Sequence, residues 1–280
     1  MQMLREDIVN GIIPLDGRSD RNPSFIVEVN GDARDIKEAK FLMDSFLGGG
    51  SRDFTQSFCR ALEKIARHLV WDAISTYELV KEESGVSAHH VSPQCMLRLP
   101  FYTLQLVPSK EREKWSARYL YCPNRRIWRC TFPDSLGGSS GYKRMIRRLS
   151  KTPPGSLPEF AVQEVSEGRG GSGFDFNSYM TKHIVYINKV TAQWNWHRRD
   201  WSDDRQCEYW RTYKRAMFKR SQILLREHLT KEVNCLFKMC GIKCMVAVRG
   251  LSGVSDVAES LEKLNSGEID FRQVYDRIFN

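Results

Sequence analysis

The sequence predicts an α+β protein in which long helices pack on short mixed strands, with a Gly/Pro-rich linker in the middle. Apolar residues recur at helical spacing over residues 54–77 and 207–240, which indicates helices with one buried side. Short apolar segments bounded by Gly or Asn, such as residues 25–29, have the composition of strands. Proline and glycine concentrate in residues 151–178. We therefore expect an N-terminal α+β domain over residues 1–150, a linker over 151–178, and a C-terminal strand and long-helix domain over 179–280.

In the N-terminal half, local patterns predict each element. Pro100 lies inside a strand-like segment and indicates an edge strand or two short strands, because proline lacks the amide donor of a central strand. The turn at Pro123 and Asn124 predicts that the strands on either side of it form a hairpin. The predicted elements, in order, are an irregular arm (1–24), a strand (25–29), a helix (35–46), a second helix with its apolar stripe over 54–77 that Gly85 closes, strands (96–107, 118–122 and 127–132) and a basic helix (142–149).

One long predicted helix, residues 207–240, dominates the C-terminal half, and Gly241 ends it. The apolar stripe of this helix drifts from Tyr213 and Met217 to Leu229 and Val233, which predicts two packing partners or a kink. A strand is expected before this helix, and a strand and two helices after it. These flanking elements are predicted at 183–190, 243–248, 255–264 and 271–278.

The chain is basic, with a formal net charge of +9 and a pI near 9.2. This balance favours a polyanionic partner such as nucleic acid or an anionic surface. The N-terminal residues have no apolar run typical of a signal peptide, and no window approaches the ~18 apolar residues of a membrane span. We therefore expect a protein without membrane contact, located in the cytoplasm.

Residues 194–220 hold four of the seven tryptophans and eight basic residues against four acidic ones. Aromatic rings among Arg and Lys suit phosphate contacts combined with base stacking, although the same mixture also builds protein interfaces. Trp194 and Trp196 would share one face of a strand. The cations that follow them predict that at least one of the two rings belongs to a binding surface and not to the core.

Two further basic clusters extend this prediction. Arg211, Arg215 and Lys219 stand at i, i+4 and i+8 and form a solvent-facing stripe that suits a phosphate backbone, with an unoccupied solvated face as the alternative. A second cluster follows glycines at 137–141, which form either a plain turn or an anion site at a helix N-terminus. The predicted nucleic-acid contacts are Trp194, Trp196, Arg198, Arg199, Arg211, Lys214, Arg215, Lys219, Arg220, Lys143, Arg144 and Arg147.

The eight cysteines include no CxxC pair, and the chain shows no secretion signal. They are therefore predicted to be buried free thiols. A zinc site is the alternative, with Cys235, Cys240 and Cys244 as its first ligands. No cofactor is expected.

No motif of a known catalytic class is present, so no catalytic residue is assigned. His89 and His90 are expected in an exposed loop. A metal-dependent nuclease needs two or three converging carboxylates. The candidates for that role are Glu159, Glu164 and Glu167.

The order of several segments carries a resemblance to a known family. A helix is followed by Tyr77-Glu78-Leu79 and a leucine-proline strand pair within residues 97–108. A glycine-rich segment before a basic helix follows at 137–149, and a late helix with Leu and Asn before its stop at 224–241. This order resembles that of tailed-bacteriophage portal proteins, although the chain is shorter and more basic than is usual there. The resemblance implies a ring of subunits around a DNA channel, without enzymatic chemistry, and a location in the virion if the protein is of phage origin.

We therefore expect a non-catalytic assembly protein that contacts nucleic acid and associates with itself or with other proteins. A portal-like ring subunit is the leading form of this expectation. The alternatives are a basic nucleic-acid-binding subunit of another complex, such as a host defence system, and a metal-dependent nuclease.

Overall fold

The computed structural model describes residues 1–13, 25–151, 176–197 and 207–279, and these form an α+β protein. The helices are α1 (Gln2–Asn10), α2 (Ala33–Ser45), α3 (Phe54–Asp72), α4 (Arg112–Trp115), α5 (Gly138–Ser150), α6 (Phe176–Val190), α7 (Glu208–Met239), α8 (Val254–Ser266) and α9 (Phe271–Ile278). The strands are β1 (Ile26–Asn30), β2 (Ile74–Glu82), β3 (Gly85–His90), β4 (Met96–Arg98), β5 (Tyr102–Leu106), β6 (Tyr119–Pro123), β7 (Ile127–Thr131) and β8 (Met245–Arg249). The predicted fold class is confirmed.

The strands form three small antiparallel sheets, in the orders β3-β2-β7, β4-β5-β6 and β1-β8. The predicted hairpin of residues 118–122 and 127–132 is wrong, because β6 pairs with β5 while β7 pairs with β2. A short 3-10 turn at Asn124–Arg126 redirects the chain from one sheet to the other. The segment around Pro100 does form two short strands, β4 and β5, as predicted.

Helix α3 is the centre of the main core. Its stripe of Phe58, Leu62, Ile65 and Leu69 is fully buried, and the side chain of Asp53 caps its first turn by accepting a 2.8 Å hydrogen bond from the Gln56 amide. The prediction that Gly85 closes this helix is wrong, because the helix ends at Asp72, where Ala73 adopts a left-handed conformation with φ of 62°. The chain then enters β2, whose alternate residues continue to face the same core.

The N-terminal arm was predicted to be irregular, and this is wrong for its first part. Residues Gln2–Asn10 form α1, which buries Leu4 and Ile8 one helical turn apart and packs against α3. The signal is short, because the three buried apolar residues of this helix, Leu4, Ile8 and Val9, span less than two helical turns. Residues 14–24 of the predicted arm lie outside the described residues.

Helix α7 has 32 residues and has two packing partners, as the drift of its stripe predicts. Ala216 and Ile223 belong to a cluster with α8 and α9, whereas Leu229 and Val233 belong to the main core. Even so, no helix in the described ranges has both the length and the apolar character needed to cross a membrane.

The main core includes residues from both predicted domains, and β1 pairs with β8 across the same boundary. The boundary at 151–178 therefore does not divide two cores. Residues 152–175 of the predicted linker lie outside the described residues, and its last three begin α6. The strand predicted at 183–190 is wrong, since these residues form most of α6. The segment is rich in β-branched residues, which are typical of strands, but packing in α6 overrides this local preference.

Candidate nucleic-acid interface

The prediction that Trp194 or Trp196 offers an exposed ring is wrong. Both indoles are buried, with 1% and 5% of their surface exposed, in a turn that follows α6 and not in a strand. Trp194 packs edge-on against Phe132 and Tyr142, with ring centroids 5.4 and 5.9 Å away. The Trp196 Nε1 donates a 2.9 Å hydrogen bond to the Asp7 carboxylate of α1. These two rings hold the end of α6 on the core.

The basic residues of α7 do not form one solvent-facing stripe. Arg211 lies 3.5 Å from the Glu208 carboxylate, and Arg215 contacts the hydroxyl and ring of Tyr275 in α9. The Lys219 Nζ turns towards α1 and donates a 3.2 Å hydrogen bond to the Gly11 carbonyl, and burial lowers its pKa to about 8. The prediction that Lys219 belongs to a solvent-facing stripe is therefore wrong.

The other predicted contacts of this region are placed as follows. Lys214 and Arg220 are half-buried on α7. Arg198 and Arg199 lie outside the described residues. The structure therefore does not bring the predicted tryptophans and the α7 cations together as one exposed aromatic and basic surface.

The second predicted cluster lies on α5, which is anchored firmly to the end of α3. The Tyr142 hydroxyl donates a 2.8 Å hydrogen bond to the Val70 carbonyl, and the Ser139 hydroxyl donates one of 2.6 Å to the Ala73 carbonyl. Gly137 precedes the helix with φ of 87°, a left-handed conformation that glycine adopts without strain. The side chain of Gln193 also occupies the space that a Cβ at Gly137 would fill.

The outward side of α5 carries only basic charge. At ~100° per residue, its cations cover an arc of roughly 140° opposite the buried Tyr142 and Met145. Neither α5 nor the residue after it is acidic. The exposed cations are Lys143, Arg144, Arg147, Arg148 and Lys151.

Helix α6 packs beside α5 and extends this charged side. The exposed Tyr186 donates a 3.4 Å hydrogen bond from its hydroxyl to the Arg148 carbonyl. Lys182 and Lys189, one turn before and after it, are also exposed, and α6 contains no acidic residue. The α5–α6 basic surface, as we name it, consists of Lys143, Arg144, Arg147, Arg148, Lys151, Lys182, Tyr186 and Lys189.

Sequence reasoning identified the α5 part of this surface and missed the α6 part. Residues 183–190 were predicted to be a strand, which separated Tyr186 from the lysines around it. The available signal was the helical spacing of Lys182 and Tyr186 within fifteen residues that contain no acid.

Apart from the α5–α6 basic surface, several titratable side chains line a cleft of about 460 Å³. It lies between the sheets of β2 and β5, and Glu78, His89, His90 and Glu111 contribute to its lining. The two histidines end β3 and are exposed there, so their predicted exposure is confirmed and the predicted loop is wrong. Cys122 donates to the Glu78 carboxylate at 3.2 Å. Burial, together with Glu78, raises the Cys122 pKa to about 12, so this thiol stays protonated and is not an activated nucleophile.

Behind the cleft, the His68 and His90 rings lie with centroids 3.6 Å apart. The His68 Nδ1 is hydrogen-bonded to the Tyr77 hydroxyl at 2.8 Å. Burial, followed by the neighbouring His90, lowers the His68 pKa to about 4, and burial also lowers the pKa of His90. Both rings are therefore neutral at pH 7, and this pair is a packing feature that disfavours charge.

All eight cysteines are free thiols. Cys122, Cys130 and Cys244 are buried as predicted, whereas Cys207 and Cys235 are exposed. In the described ranges, no group of three or more His, Cys, Asp or Glu side chains is placed to hold a metal ion. The carboxylates considered for a nuclease, at positions 159, 164 and 167, lie outside those ranges.

Comparison with known proteins assigns no family to this chain. No protein-family model matches it, and no curated protein matches its sequence. The function must therefore be inferred from the side chains themselves, and above all from the α5–α6 basic surface.

Proposed function

We propose that this protein is a non-catalytic nucleic-acid-binding component of a larger assembly, and that the α5–α6 basic surface contacts the phosphate backbone. The observation that carries the proposal is the composition of two adjacent helices. They expose seven Lys and Arg residues and contain no acid, with the ring of Tyr186 between the cations of both. A merely solvated helix face normally intersperses acids at i±4.

The dimensions of the surface agree with a phosphate track. Lys143 to Lys151 spans ~12 Å along α5 at 1.5 Å per residue. Duplex DNA carries one charge per ~1.7 Å of its axis, so roughly seven phosphates pass within that length. The anchoring of α5 through Tyr142 and Ser139 holds the cations in place before a ligand arrives, which lowers the entropic cost of binding.

Charge reversal on α5 tests the proposal. Exchange of Lys143, Arg144 and Arg147 for Glu should weaken binding of a fluorescent 20-base-pair duplex, measured by anisotropy at several salt concentrations. Loss of three phosphate contacts should reduce the slope of log K against log salt by about 2.7. The exposed side chains leave the core intact, so the melting temperature should stay near that of the wild type.

A matched control separates a local contact from net charge. Lys231, Lys238 and Lys243 are exposed at the end of α7 and just before β8, and exchanging them for Glu makes the same change of charge. This control should retain most of the duplex affinity. Equal losses in both triple variants would mean that the α5–α6 basic surface is not a specific contact.

The larger assembly is a separate part of the proposal and has its own test. The resemblance to portal proteins supports a ring of identical subunits around DNA, and another nucleic-acid complex is the alternative. Light scattering with and without duplex measures the mass directly. A closed oligomer whose mass is a fixed multiple of 32.5 kDa supports the ring, and a monomer under both conditions contradicts it.

A further inference from the structure

The sheet formed by β4, β5 and β6 presents an unusual outer face. Large apolar side chains on this face are exposed to solvent, with 60% of the Leu97 surface and 72% of the Tyr121 surface accessible. Phe101, in the turn between β4 and β5 at the edge of this face, is 85% exposed. Tyr102, Leu106 and Tyr119 are exposed on the same face. Contiguous exposed apolar surface of this kind on a soluble protein usually marks a binding site.

The strand register shows that the exposed residues of β4, β5 and β6 form one continuous platform. Leu97 lies opposite Leu104, which lies opposite Tyr121, and Leu106 lies opposite Tyr119. The Tyr102 and Tyr121 rings are close, with centroids 5.8 Å apart. The alternate residues Thr103 and Cys122 are buried on the other side, so only the inner face of this sheet packs on the protein.

The platform is held rigid by hydrogen bonds at its tip. The Asn124 side chain donates to the carbonyls of Leu99 and Pro100 at 2.7 and 3.0 Å, and accepts from the Thr103 hydroxyl at 2.7 Å. These bonds fix the turn between β4 and β5. Phe101 is therefore held out into solvent by the backbone, without packing of its own ring.

Cations flank the platform at both ends of β6. The Arg118 guanidinium lies over the Tyr119 ring, 5.5 Å from its centroid, and Arg125 and Arg126 follow the strand at its other end. All three are exposed, and none forms an ion pair with any residue that the structure describes. The two acids of the β5–β6 connection, Glu111 and Glu113, alternate with three cations.

We propose that this platform binds single-stranded nucleic acid, by stacking bases on Tyr102, Tyr121 and Phe101 while Arg118 and Arg125 contact phosphates. The proposal rests on the proposed function in that the ligand is nucleic acid, but it concerns a different surface and names the single strand. Tyr119 and Tyr121 are ~7 Å apart along β6, so neighbouring bases of an extended strand meet neighbouring rings. Paired bases in a duplex do not expose the faces that this stacking requires.

Charge distinguishes a nucleic acid from a second copy of the chain. In a symmetric dimer through this face, the arginines at the rim of one platform would meet arginines of the other, and the chain already carries a net charge of +9. A polyanion is attracted by the same arginines. The aromatic rings then supply affinity without selecting a base sequence.

The test compares two ligands, a 12-mer of deoxythymidine and a 20-base-pair duplex, by fluorescence anisotropy. Tyr102→Leu with Tyr121→Leu keeps apolar surface and removes the π-faces, whereas Tyr102→Phe with Tyr121→Phe keeps the π-faces. The Leu variant should lose about 30-fold or more of its single-strand affinity, and the Phe variant should bind as the wild type does. Trp210→Ala removes an exposed aromatic ring on α7 and should leave single-strand binding unchanged.

Each result decides between the two surfaces. If the Leu variant binds the single strand with wild-type affinity, the proposed role of the platform is overturned. The proposed function would still be supported if charge reversal on α5 abolished duplex binding. Loss in the Leu variant with normal binding after charge reversal on α5 supports the platform and contradicts the α5–α6 basic surface. A wild-type protein that fails to bind the 12-mer also overturns the platform. If sedimentation shows that the wild type is an oligomer and that the variant with Tyr102→Ala and Tyr121→Ala is a monomer, the face is assigned to a second copy of the chain. That result would also overturn the proposal of single-strand binding.

Discussion

Replacement of Trp194 by Ala should destabilise the protein strongly and leave its binding surfaces intact. The indole is 1% exposed and makes edge-to-face contacts with Phe132 and Tyr142. Burial of this kind costs about 3–5 kcal/mol when a Trp is truncated to Ala, and the two aromatic contacts place the expected loss near the upper end. With an m-value of about 3 kcal/mol/M in urea, the unfolding midpoint should fall by about 1.3–1.5 M.

The indole nitrogens provide an internal comparison. The Trp194 Nε1 is buried and has no hydrogen-bond acceptor among the described residues, whereas the Trp196 Nε1 donates to the Asp7 carboxylate at 2.9 Å. Exchange of Trp194 for Phe removes a buried donor that is unsatisfied, which offsets part of the lost packing. Exchange of Trp196 for Phe removes a hydrogen bond to a charged group worth about 1.5–3 kcal/mol. We therefore expect Trp196→Phe to be the more destabilising of the two, although Trp196 is slightly less buried.

Urea unfolding followed by far-ultraviolet circular dichroism measures these free energies without depending on tryptophan fluorescence. A duplex-binding titration on the folded Trp194→Ala variant completes the test. The reasoning is refuted if the Ala variant loses less than about 1 kcal/mol of stability. It is equally refuted if that variant remains stable but loses affinity, because the ring would then belong to a binding surface.

Two further predictions concern stability. Burial lowers the pKa values of His68 and His197 to about 4 in the folded protein. As the pH falls below 6.5, these two histidines bind protons in the unfolded chain but remain neutral in the folded protein. Stability should therefore fall as the pH drops from 6.5 to 4, by an upper limit of about 3 kcal/mol per histidine, and melting curves of His68→Gln should show a shallower fall. Ala73→Gly should raise stability by about 0.5–1 kcal/mol in urea, because strain at φ of 62° exceeds the added chain entropy of glycine; a lower midpoint would show that the Ala73 methyl group contributes more through packing.

Much of the fold followed from long periodic segments, and most errors arose where a pattern was short or ambiguous. The stripe of α3 and the drift of α7 were read correctly, since each spans many turns. The end of α3 was missed because Ala73 and Tyr77 continue a spacing of four while the backbone has already left the helix. Residues 183–190 are rich in the β-branched residues typical of strands, yet α6 forms there with Ile187 buried on one side.

The site was harder to predict because exposure is set by partners distant in sequence. Nothing in the sequence around Trp196 indicates that the Asp7 carboxylate accepts its hydrogen bond. Nothing in the sequence around Lys219 indicates that its ammonium group donates to the Gly11 carbonyl. The α5 cations were identified because their buried neighbours, Tyr142 and Met145, lie in the same short segment. The exposed tyrosines of β5 and β6 were treated as ordinary strand residues, since the side of a sheet that faces solvent depends on which sheet packs beneath it.

The pairing of β1 with β8 has a consequence for how this protein is made. Val29 lies opposite Val246, so most of the chain lies between two strands that depend on each other for their backbone hydrogen bonds. The Asn234 side chain adds to this by bonding both the amide and the carbonyl of Val246. A ribosome must therefore release β8 before β1 has a partner, and until then the apolar sides of α1, α2 and α3 remain incompletely covered. Nascent chains that stall before residue 245 should accordingly be sensitive to proteases and bind chaperones.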